Sequence, residues 1–396
     1  MHKTVNKKKR ICICTTVSST ISAFILDSCK HFHENTDWDI SLICSYNAEF
    51  EKSLPEYIHY YPVDMKRGIS FDGLGVIRQM KKIFKRERFD LVQYSTPNAS
   101  LYASIAAKSA QIPVRLYCQW GMVFVGFSGV KRKIFFREEK FVCNNSTWIE
   151  PDSNSNLAFA RSLNLYSADK SSVIWNGSAC GINLNKFDIN RKDDYKKEIR
   201  KRYGISDDAF VYIFVGRVNR DKGFNELLEA YYTQVKKPNT YLFVLGDNEL
   251  GAGLSNELYN KSVSDENVFY TGEVPDVEKY LAASDCYILP SYREGFGMSV
   301  IEAQAMGVPV IVTNIPGPTD GMVEGETGLV VPKQDAPALR AAMEKLYSDS
   351  EMRLRFGRAG YEFVKNNFAQ SKFFEYLLND RKKLLDIEDD KIGESR

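Results

Sequence analysis

The clearest architectural signal in this chain is Leu289-Pro-Ser-Tyr-Arg-Glu-Gly-Phe-Gly-Met-Ser-Val-Ile-Glu-Ala-Gln-Ala-Met-Gly-Val-Pro309. The apolar run at 286–289 predicts a strand, and Pro290 with the two glycines that follow predicts a loop. A helix is then expected to begin near Met298 and to end at Gly307, because glycine commonly terminates helices. A strand, a glycine-containing loop and a helix in this order are typical of a βα unit in a parallel sheet.

Short apolar runs alternate with helical patterns along the whole chain, and they form two groups of predicted strands. The first group covers 11–16, 39–45, 58–63, 91–95, 114–119 and 172–174. The second group covers 210–215, 241–245, 268–271, 286–289, 308–312 and 328–331. A chain of 396 residues is long enough for two hydrophobic cores. The pattern therefore predicts an α/β fold with two Rossmann-like, doubly wound domains.

The domain boundary is expected within 176–202, which ends in a charged run, has no strand pattern and is interpreted as the linker. We expect an N-terminal domain over 1–177 and a C-terminal domain over 178–368. Phe373, Tyr376 and Leu377 recur at helical spacing. The segment 369–396 is therefore predicted to be a helix, and we expect it to return to the N-terminal domain.

Charge, cysteine content and hydropathy limit the classes of function. The net charge of +2 argues against a nucleic-acid-binding protein. The eight cysteines include no C-x-x-C pair, which indicates reduced thiols in a cytoplasmic protein. Threonine and serine interrupt the apolar stretch 11–26 behind the basic N-terminus, so a signal peptide is not expected. No run of 18 apolar residues predicts a transmembrane helix.

The loop before the predicted helix has the composition of an anion-binding segment. Gly295 and Gly297 allow the backbone to approach a ligand closely. The backbone N–H groups from Phe296 to Ser299, with Met298 among them, would lie at the positive end of the helix, where phosphate groups bind. We therefore expect these amides to hold a diphosphate.

Two carboxylates flank this loop. Glu294 lies in the loop, and Glu302 lies about one turn into the predicted helix, so the two would be spread along one ligand. A carboxylate can accept two hydrogen bonds from neighbouring hydroxyl groups. We expect a hexose at Glu294 and a ribose at Glu302. The alternative is an ordinary strand, loop and helix with two surface acids, which we would favour without the glycines between them.

This segment resembles the donor-sugar motif of the family-4 retaining glycosyltransferases, which have a two-domain, glycogen-phosphorylase-like architecture. A second region, Phe214-Val-Gly-Arg-Val-Asn-Arg-Asp-Lys-Gly-Phe224, resembles the Gly-Arg…Lys-Gly segment of that family. The resemblance implies that Gly216 lines the donor site and that Arg217 and Lys222 hold the donor diphosphate. Two fixed cations at the end of a strand would also neutralise the charge on a departing nucleotide diphosphate.

The resemblance implies two Rossmann-like domains facing a central cleft and the transfer of a hexose-type sugar from a nucleotide diphosphate, UDP foremost. The capsular and surface-polysaccharide members suggest a glycan or lipid-diphosphate-linked acceptor. No Asp-x-Asp signature follows a predicted strand, so we expect neither a metal ion nor a cofactor beside the donor. An alternative function is a catalytically silent sugar-nucleotide-binding scaffold. A nicotinamide-dependent oxidoreductase is disfavoured, since no G-x-G-x-x-G follows the first strand.

The sequence departs from the family pattern in the first half. Many members carry a His-Gly after a strand, where this chain has Gln119-Trp-Gly121, and none of its four histidines follows that strand. Trp120 can stack on a substrate but cannot exchange a proton, and the alternative is a core aromatic residue. Thr96 and Asn98, after another strand, are further candidates for contacts with the acceptor.

The first half of the chain is basic. Residues 1–180 carry 24 Lys and Arg against 16 Asp and Glu, whereas the remainder carries 29 against 35. The stretches 71–89 and 126–143 mix basic with apolar and aromatic side chains, a pattern that favours an anionic membrane surface. An ordinary surface helix explains 71–89 equally well. For 126–143 we favour peripheral association with the inner face of a membrane.

Overall fold

The computed structural model of the chain describes residues 8–66, 72–235, 237–251 and 253–394. The chain divides into two compact units. The first holds the chain up to Asp152, Asn156–Trp175 and the segment from Lys372 onward. The second holds Ser153–Ser155 and Asn176–Ser371. The divisions fall after Trp175 and Ser371, where the sequence had suggested 177 and 368.

The first unit contains a parallel sheet with helices packed on it. Its strands are β1 (Arg10–Cys14), β2 (Asp39–Cys44), β3 (Ile58–Pro62), β4 (Leu91–Tyr94), β5 (Val114–Gln119) and β6 (Trp148–Pro151). The helices of this part of the chain are α1 (Ser18–Phe24), α2 (Leu26–Asn35), α3 (Ala48–Ser53), α4 (Gly73–Glu87), α5 (Pro97–Ser109), α6 (Gly129–Asn145) and α7 (Asn154–Ser162). The strand order is β3-β2-β1-β4-β5-β6. β1, β2, β4 and β5 are buried almost throughout, as is usual for a parallel sheet with both faces covered.

The second unit repeats this architecture. Its strands are β7 (Phe210–Val215), β8 (Thr240–Leu245), β9 (Val268–Gly272), β10 (Cys286–Leu289), β11 (Val310–Thr313) and β12 (Gly328–Val331). The helices are α8 (Lys192–Tyr203), α9 (Phe224–Ala230), α10 (Asn256–Val263), α11 (Val277–Ala282), α12 (Met298–Ala305), α13 (Ala336–Ser348) and α14 (Ser350–Asn367). The last helix, α15 (Gln370–Glu394), belongs from Lys372 onward to the first unit. The sheet is parallel, in the order β12-β11-β10-β7-β8-β9. The predicted α/β fold with two Rossmann-like units is confirmed.

One predicted strand is wrong. The segment 172–174 is not a strand, and the sixth strand of the first sheet is β6, which pairs with β5. The polar residue Glu150 in β6 obscured its pattern in the sequence. Glu150 is nevertheless buried, because Arg381 of α15 binds its two carboxylate oxygens at 2.5 and 2.9 Å. The ion pair allows a charged residue to occupy a core strand.

The interpretation of 176–202 as a linker is also wrong in its second half. From Lys192 onward the segment forms α8, whose Tyr195 and Ile199 lie in the core of the second unit. Arg200 is 1% exposed and binds Asp285 at 2.9 Å. The charged composition had hidden a helix with a buried face.

The two basic stretches are helical. α4 lies within 71–89, although Phe71 is outside the described residues, and α6 covers most of 126–143. In the part of the chain that the structure describes, no helix has both the length and the hydrophobicity needed to cross a bilayer.

Candidate active site

The two glycosyltransferase-like segments follow neighbouring strands. β7 and β10 pair in parallel at the centre of the second sheet, with Tyr212 opposite Cys286 and Ile213 opposite Tyr287. β8 and β9 lie on one side of this pair, and β11 and β12 lie on the other. The direction of chain winding therefore reverses between β7 and β10. Ligands of open α/β sheets bind at such switch points, beyond the carboxyl ends of the strands.

The loops after these two strands are joined tightly. Gly223 has a φ of +68°, and a Cβ built on it would lie 1.9 Å from the carbonyl oxygen of Pro290. The backbone N–H of Tyr292 donates to the carbonyl of Asp221 at 2.8 Å. Arg293 forms an ion pair with the Asp221 carboxylate at 2.9 Å. Only glycine permits this approach of the two loops at residue 223.

The joined loops bring together two residues that the sequence had selected separately. Lys222 Nζ lies 2.5 Å from Glu294 Oε1, and the Ser291 hydroxyl donates to the same oxygen at 2.7 Å. The two charged side chains are 19% and 11% exposed, respectively. The backbone N–H of Lys222 is fixed by the side chain of Asn219 at 3.1 Å. A cation and a carboxylate thus stand side by side at the switch point, where a diphosphate and a sugar hydroxyl can replace their mutual contact.

Arg217 occupies a different position in the first loop. Its guanidinium binds Glu249 at 2.7 Å and is 51% exposed, so the structure pairs it with Glu249 and not with Glu294. Gly216, just before it, donates its N–H to the carbonyl of Leu245 at the end of β8. Arg217 is therefore placed at the same edge of the sheet, on the β8 side of Lys222.

The start of α12 has the predicted form. Gly297 precedes the helix with a φ of +82° and, as a glycine at the N-cap position, supplies no side-chain cap. Phe296 is 1% exposed and packs edge-on against Phe368 at 5.3 Å, which anchors the loop in the core. The first amides of the helix, at Met298 and Ser299, are consequently held in a fixed position, where their partial positive charge can meet an anion.

The side chains around this helix start hold it in place. The Gly295 carbonyl accepts a hydrogen bond from the Ser153 hydroxyl at 3.2 Å. The sulfur of Met298 accepts one from the N–H of Ala179 at 3.4 Å. The Ser299 hydroxyl receives one from Tyr287 at 2.5 Å. These three hydrogen bonds fix the loop and the first turn of α12, so the backbone amides keep one orientation.

Glu302 lies in the second turn of α12 and is partly buried. Burial raises the pKa of this carboxyl to about 7, and Glu278 adds to the rise while Lys186 opposes it. Within the described residues no donor hydrogen-bonds its carboxylate. A partly desolvated acceptor without a protein donor is suited to the hydroxyl groups of a ribose.

Sequence reasoning missed Tyr287, whose hydroxyl donates to Ser299 and is influenced by the charges of both carboxylates. Its hydroxyl is buried, and burial, with smaller contributions from Glu294 and Glu302, raises the pKa of Tyr287 well above its usual value. It also missed Thr313, whose hydroxyl donates to the carbonyl of Ser291 at 2.5 Å. A tyrosine inside the buried strand β10 was the available signal, because a buried tyrosine hydroxyl requires a polar partner.

In the first unit, the side chains of Gln119 and Trp120 lie in different environments. Gln119 is buried and bonds Glu139 on α6 and the Tyr166 hydroxyl, at 2.5 and 2.8 Å. Trp120 is partly exposed and meets Phe24 edge-on at 5.8 Å. Gln119 therefore belongs to the core, whereas one part of the Trp120 ring remains accessible at the carboxyl end of β5.

Thr96 lies at the switch point of the first sheet, between β1 and β4. Its φ of +67° is unusual for a β-branched residue. Its hydroxyl oxygen lies 2.8 Å from that of Thr16 and accepts the Thr16 N–H at 3.1 Å. Asn98 donates to the Lys66 carbonyl at 2.6 Å. These two predicted acceptor residues are therefore at the expected edge of the sheet.

Two family models match the chain. The one described as glycosyl transferase 4-like matches residues 10–153, and the one described as glycosyl transferases group 1 matches residues 195–363. The capsular polysaccharide biosynthesis glycosyltransferase CapM of Staphylococcus aureus is 32% identical over 373 residues, covering 94% of this chain and 96% of that protein. Similarity to glycosyltransferases therefore extends through both units.

A more distant relative and a solved structure complete the comparison. The UDP-Gal:alpha-D-GlcNAc-diphosphoundecaprenol alpha-1,3-galactosyltransferase of Escherichia coli is 25% identical over 351 residues, 81% of this chain and 83% of that protein. The structure of Anabaena HepE in complex with UDP and glucose matches with a TM-score of 0.76 at 15% identity, covering 95% of this chain and 100% of that chain. At this identity the likeness concerns the fold.

Proposed function

This chain belongs to the family-4 type of glycosyltransferase, and we propose that it moves a hexose-type sugar from a nucleotide diphosphate to a glycan intermediate with retention of anomeric configuration. The observation that carries the proposal is the contact between Lys222 and Glu294 at the β7/β10 switch point. UDP is the proposed nucleotide, in keeping with the donor named for the E. coli relative.

The proposed roles follow from charge and position. Lys222 and Arg217 stabilise the negative charge that develops on the leaving diphosphate. Glu294 orients the hexose by accepting hydrogen bonds from two of its hydroxyl groups. The amides from Phe296 to Ser299 complete the phosphate cradle, and Glu302 accepts the ribose hydroxyls. Low exposure of Lys222 and Glu294 supports these roles, because a charge acts more strongly where water is excluded.

The proposed acceptor is a lipid-diphosphate-linked glycan in surface-polysaccharide assembly. The functions named for two relatives support it, since one acts on a diphosphoundecaprenol-linked sugar and the other in capsule synthesis. The proposal places the enzyme in the cytoplasm, peripherally at the inner membrane face, where such an acceptor would be reached.

We propose that the transfer needs neither a metal ion nor a general base at position 120. The fixed cations Lys222 and Arg217 supply positive charge at the diphosphate, and no Asp-x-Asp signature follows a strand of the sequence. A phosphate oxygen of the donor accepts the acceptor proton on the same face of the sugar, so Trp120 is required only for contact. Activity is therefore expected to persist in excess EDTA.

The test is to incubate the purified chain with a panel of sugar nucleotides, with and without membrane extract, and to measure nucleotide release. We expect release with one donor, stimulated by the extract. Lys222→Ala and Glu294→Ala should each lower the rate by about 1,000-fold, because each removes a charge that acts in the transition state. Arg220→Ala is the matched control, since it removes an exposed cation from the same loop.

Two outcomes would contradict the proposal. Full activity in either variant would remove the assigned roles. Tight binding of a sugar nucleotide without release under any condition would favour the alternative of a silent scaffold subunit. Circular dichroism of the variants distinguishes a lost charge from a lost fold.

A further inference from the structure

The two basic stretches of the sequence lie on one side of the first sheet. α4 packs on α5, and α5 packs on α6. A Cβ on Gly73 of α4 would lie 2.8 Å from the ring of Tyr102 of α5. Lys108 of α5 donates to Asn145 of α6 at 3.1 Å. α4 and α6 therefore flank a common helix, and their outer faces belong to one continuous side of the unit.

Large apolar side chains project from this side into solvent. Leu74 in the first turn of α4 is 65% exposed, and Val130 in the first turn of α6 is 74% exposed. Ile134 and Phe141, on the Val130 face of α6, are each 47% exposed. Spacings of four and seven residues place these three side chains on one stripe of the helix. The stripe points away from the core of the unit.

The other aromatic residues of α6 show that this arrangement is fixed. Phe136 packs inward, edge-on to the buried Phe124 at 5.2 Å. Phe135 is also packed against the core and stacks on Phe127 at 4.9 Å. The aromatic residues that looked equivalent in the sequence thus divide into an inner set, which holds the helix, and an outer stripe that remains exposed.

Cations surround the exposed apolar residues. Arg86 of α4 is exposed and pairs with Glu87, and six further exposed cations are Arg78, Lys82 and Lys85 on α4 and Lys131, Lys133 and Arg137 on α6. Across the described residues, none of these six forms an ion pair. All six charges have one sign, which favours an anionic partner.

We propose that these outer faces of α4 and α6, which we call the α4–α6 surface, bind an anionic phospholipid bilayer. A bilayer presents negative headgroups directly beside apolar chains, so it satisfies the cations and the apolar stripe together. Arg137 lies between Ile134 and Phe141 on the same face of α6, so a charge interrupts the apolar stripe. This distribution fits a fluid lipid interface better than the dry, contiguous centre of a protein interface.

The location of the surface connects it to the reaction. In βα units the helices run antiparallel to the strands, so the first turns of α4 and α6 lie near the carboxyl edge of the first sheet. Thr16 and Thr96 lie at the same edge. Docking would bring this edge to the lipid, within reach of a lipid-linked acceptor. Only this last step rests on the proposed function, because binding to lipid does not require transfer.

The experiment is co-sedimentation of the full chain with vesicles of phosphatidylglycerol and phosphatidylcholine, compared with vesicles of phosphatidylcholine alone. We expect binding only to the anionic vesicles, and weaker binding at higher salt. Lys131→Gln combined with Lys133→Gln should lower the partition coefficient by about 25-fold. Val130→Ser combined with Ile134→Ser should lower the partition coefficient by roughly tenfold or more. Val263→Ser with Leu354→Ser is the matched control, because these exposed apolar residues lie in the second unit.

The outcomes separate the possibilities. Equal loss of binding in the control variant, or equal binding to both kinds of vesicle, would overturn the inference. A third outcome would also overturn it: the chain does not bind vesicles but self-associates, as detected by light scattering, and Val130→Ser with Ile134→Ser abolishes the self-association. That result would assign the surface to a second copy of the chain. Nucleotide release in the absence of membranes should be unchanged in all these variants, so loss of vesicle binding is distinguished from loss of the proposed transfer.

Discussion

The carboxyl edges of the two sheets share a topology but differ in chemistry. Each sheet reverses its winding once, between β1 and β4 in the first unit and between β7 and β10 in the second. At the second edge a charged pair, Lys222 and Glu294, is held by joined loops. At the first edge the corresponding contact joins two neutral hydroxyls, those of Thr16 and Thr96. One architecture thus provides a charged edge, to which we assign the diphosphate in our proposal, and an uncharged edge, to which we assign the acceptor.

Two carboxyl groups sharpen this contrast. Burial raises the pKa of Glu139 in the first unit and of Glu302 in the second, each to about 7. Glu139 accepts hydrogen bonds from Tyr117 and Gln119, at 2.9 and 2.5 Å. Glu302 accepts none from any described residue. The two carboxyl groups therefore have similar pKa values but different partners. Glu139 receives its hydrogen bonds from the protein, whereas we infer that Glu302 receives them from a ligand.

The largest effect is expected from Gly223→Ala, which tests whether the second edge depends on the joining of its loops. The new methyl group would collide with the Pro290 carbonyl, and alanine is strained at a φ of +68°. We expect the free energy of unfolding to fall by about 3–4 kcal/mol, together with loss of activity. Denaturant titration measures the first quantity and nucleotide release the second.

Gly272→Ala is the matched control for this change. Gly272 has the same φ of +68°, but no atom lies within 4 Å of the position that the new methyl group would occupy. The backbone strain alone should cost about 1–2 kcal/mol. If the free energy of unfolding falls equally in both variants, the close contact between the two loops does not contribute to stability. The description of the second edge as held by joined loops would then be wrong.

A smaller, pH-dependent effect is expected from Glu302→Gln. The folded-state pKa of about 7 lies above the ordinary value of about 4.3, so between these pH values the native state binds more protons than the unfolded state. Stability contributed by the protonated carboxyl is thus lost as the pH rises from about 4 to 7. Glu302→Gln should therefore stabilise the protein by about 1–2 kcal/mol at pH 8 and leave it unchanged at pH 4.

Nucleotide affinity should show the opposite trend. The ionised carboxylate accepts two hydrogen bonds from ribose, so UDP should bind more tightly above pH 7 than at pH 5.5. Glu302→Gln should reduce this difference to the part that comes from ionisation of the terminal phosphate of UDP, whose pKa is about 6. Calorimetric titration at the two pH values measures it. Glu139→Gln is the comparison, since it changes a carboxyl of similar pKa in the first unit and should leave the pH dependence of UDP binding intact. Loss of that dependence in Glu139→Gln would contradict the assignment of ribose to Glu302.

The sequence predicted the repeated architecture well because strand and helix patterns are local. It failed where a long-range contact overrides the local pattern. Glu150 made β6 look polar, and only its pairing with Arg381 in the distant helix α15 explains its burial. The charged surface of α8 concealed Tyr195 and Ile199, which lie in the core.

The candidate site shows the same limit. Lys222 and Glu294 were both selected from motifs, but their 2.5 Å contact depends on how β7 and β10 pair, which no local pattern specifies. Arg217 was selected with Lys222, yet it binds Glu249. Motifs identify the residue types that diphosphate chemistry requires, whereas the order of strands decides which of them meet.

The smallest effect is expected at the first edge, from Trp120→Phe. The edge-on contact with Phe24 can be kept by a smaller aromatic ring, so we expect the stability to change by less than about 1 kcal/mol. The KM for the acceptor should rise a few-fold through lost contact area, while the KM for the donor and the pH dependence of kcat stay the same. Trp120→His is the informative companion, because it restores a group that can exchange a proton. If transfer were limited by the absence of a base, this variant would raise kcat and change its pH profile. We expect neither change, since the proposed proton acceptor is a phosphate oxygen of the donor.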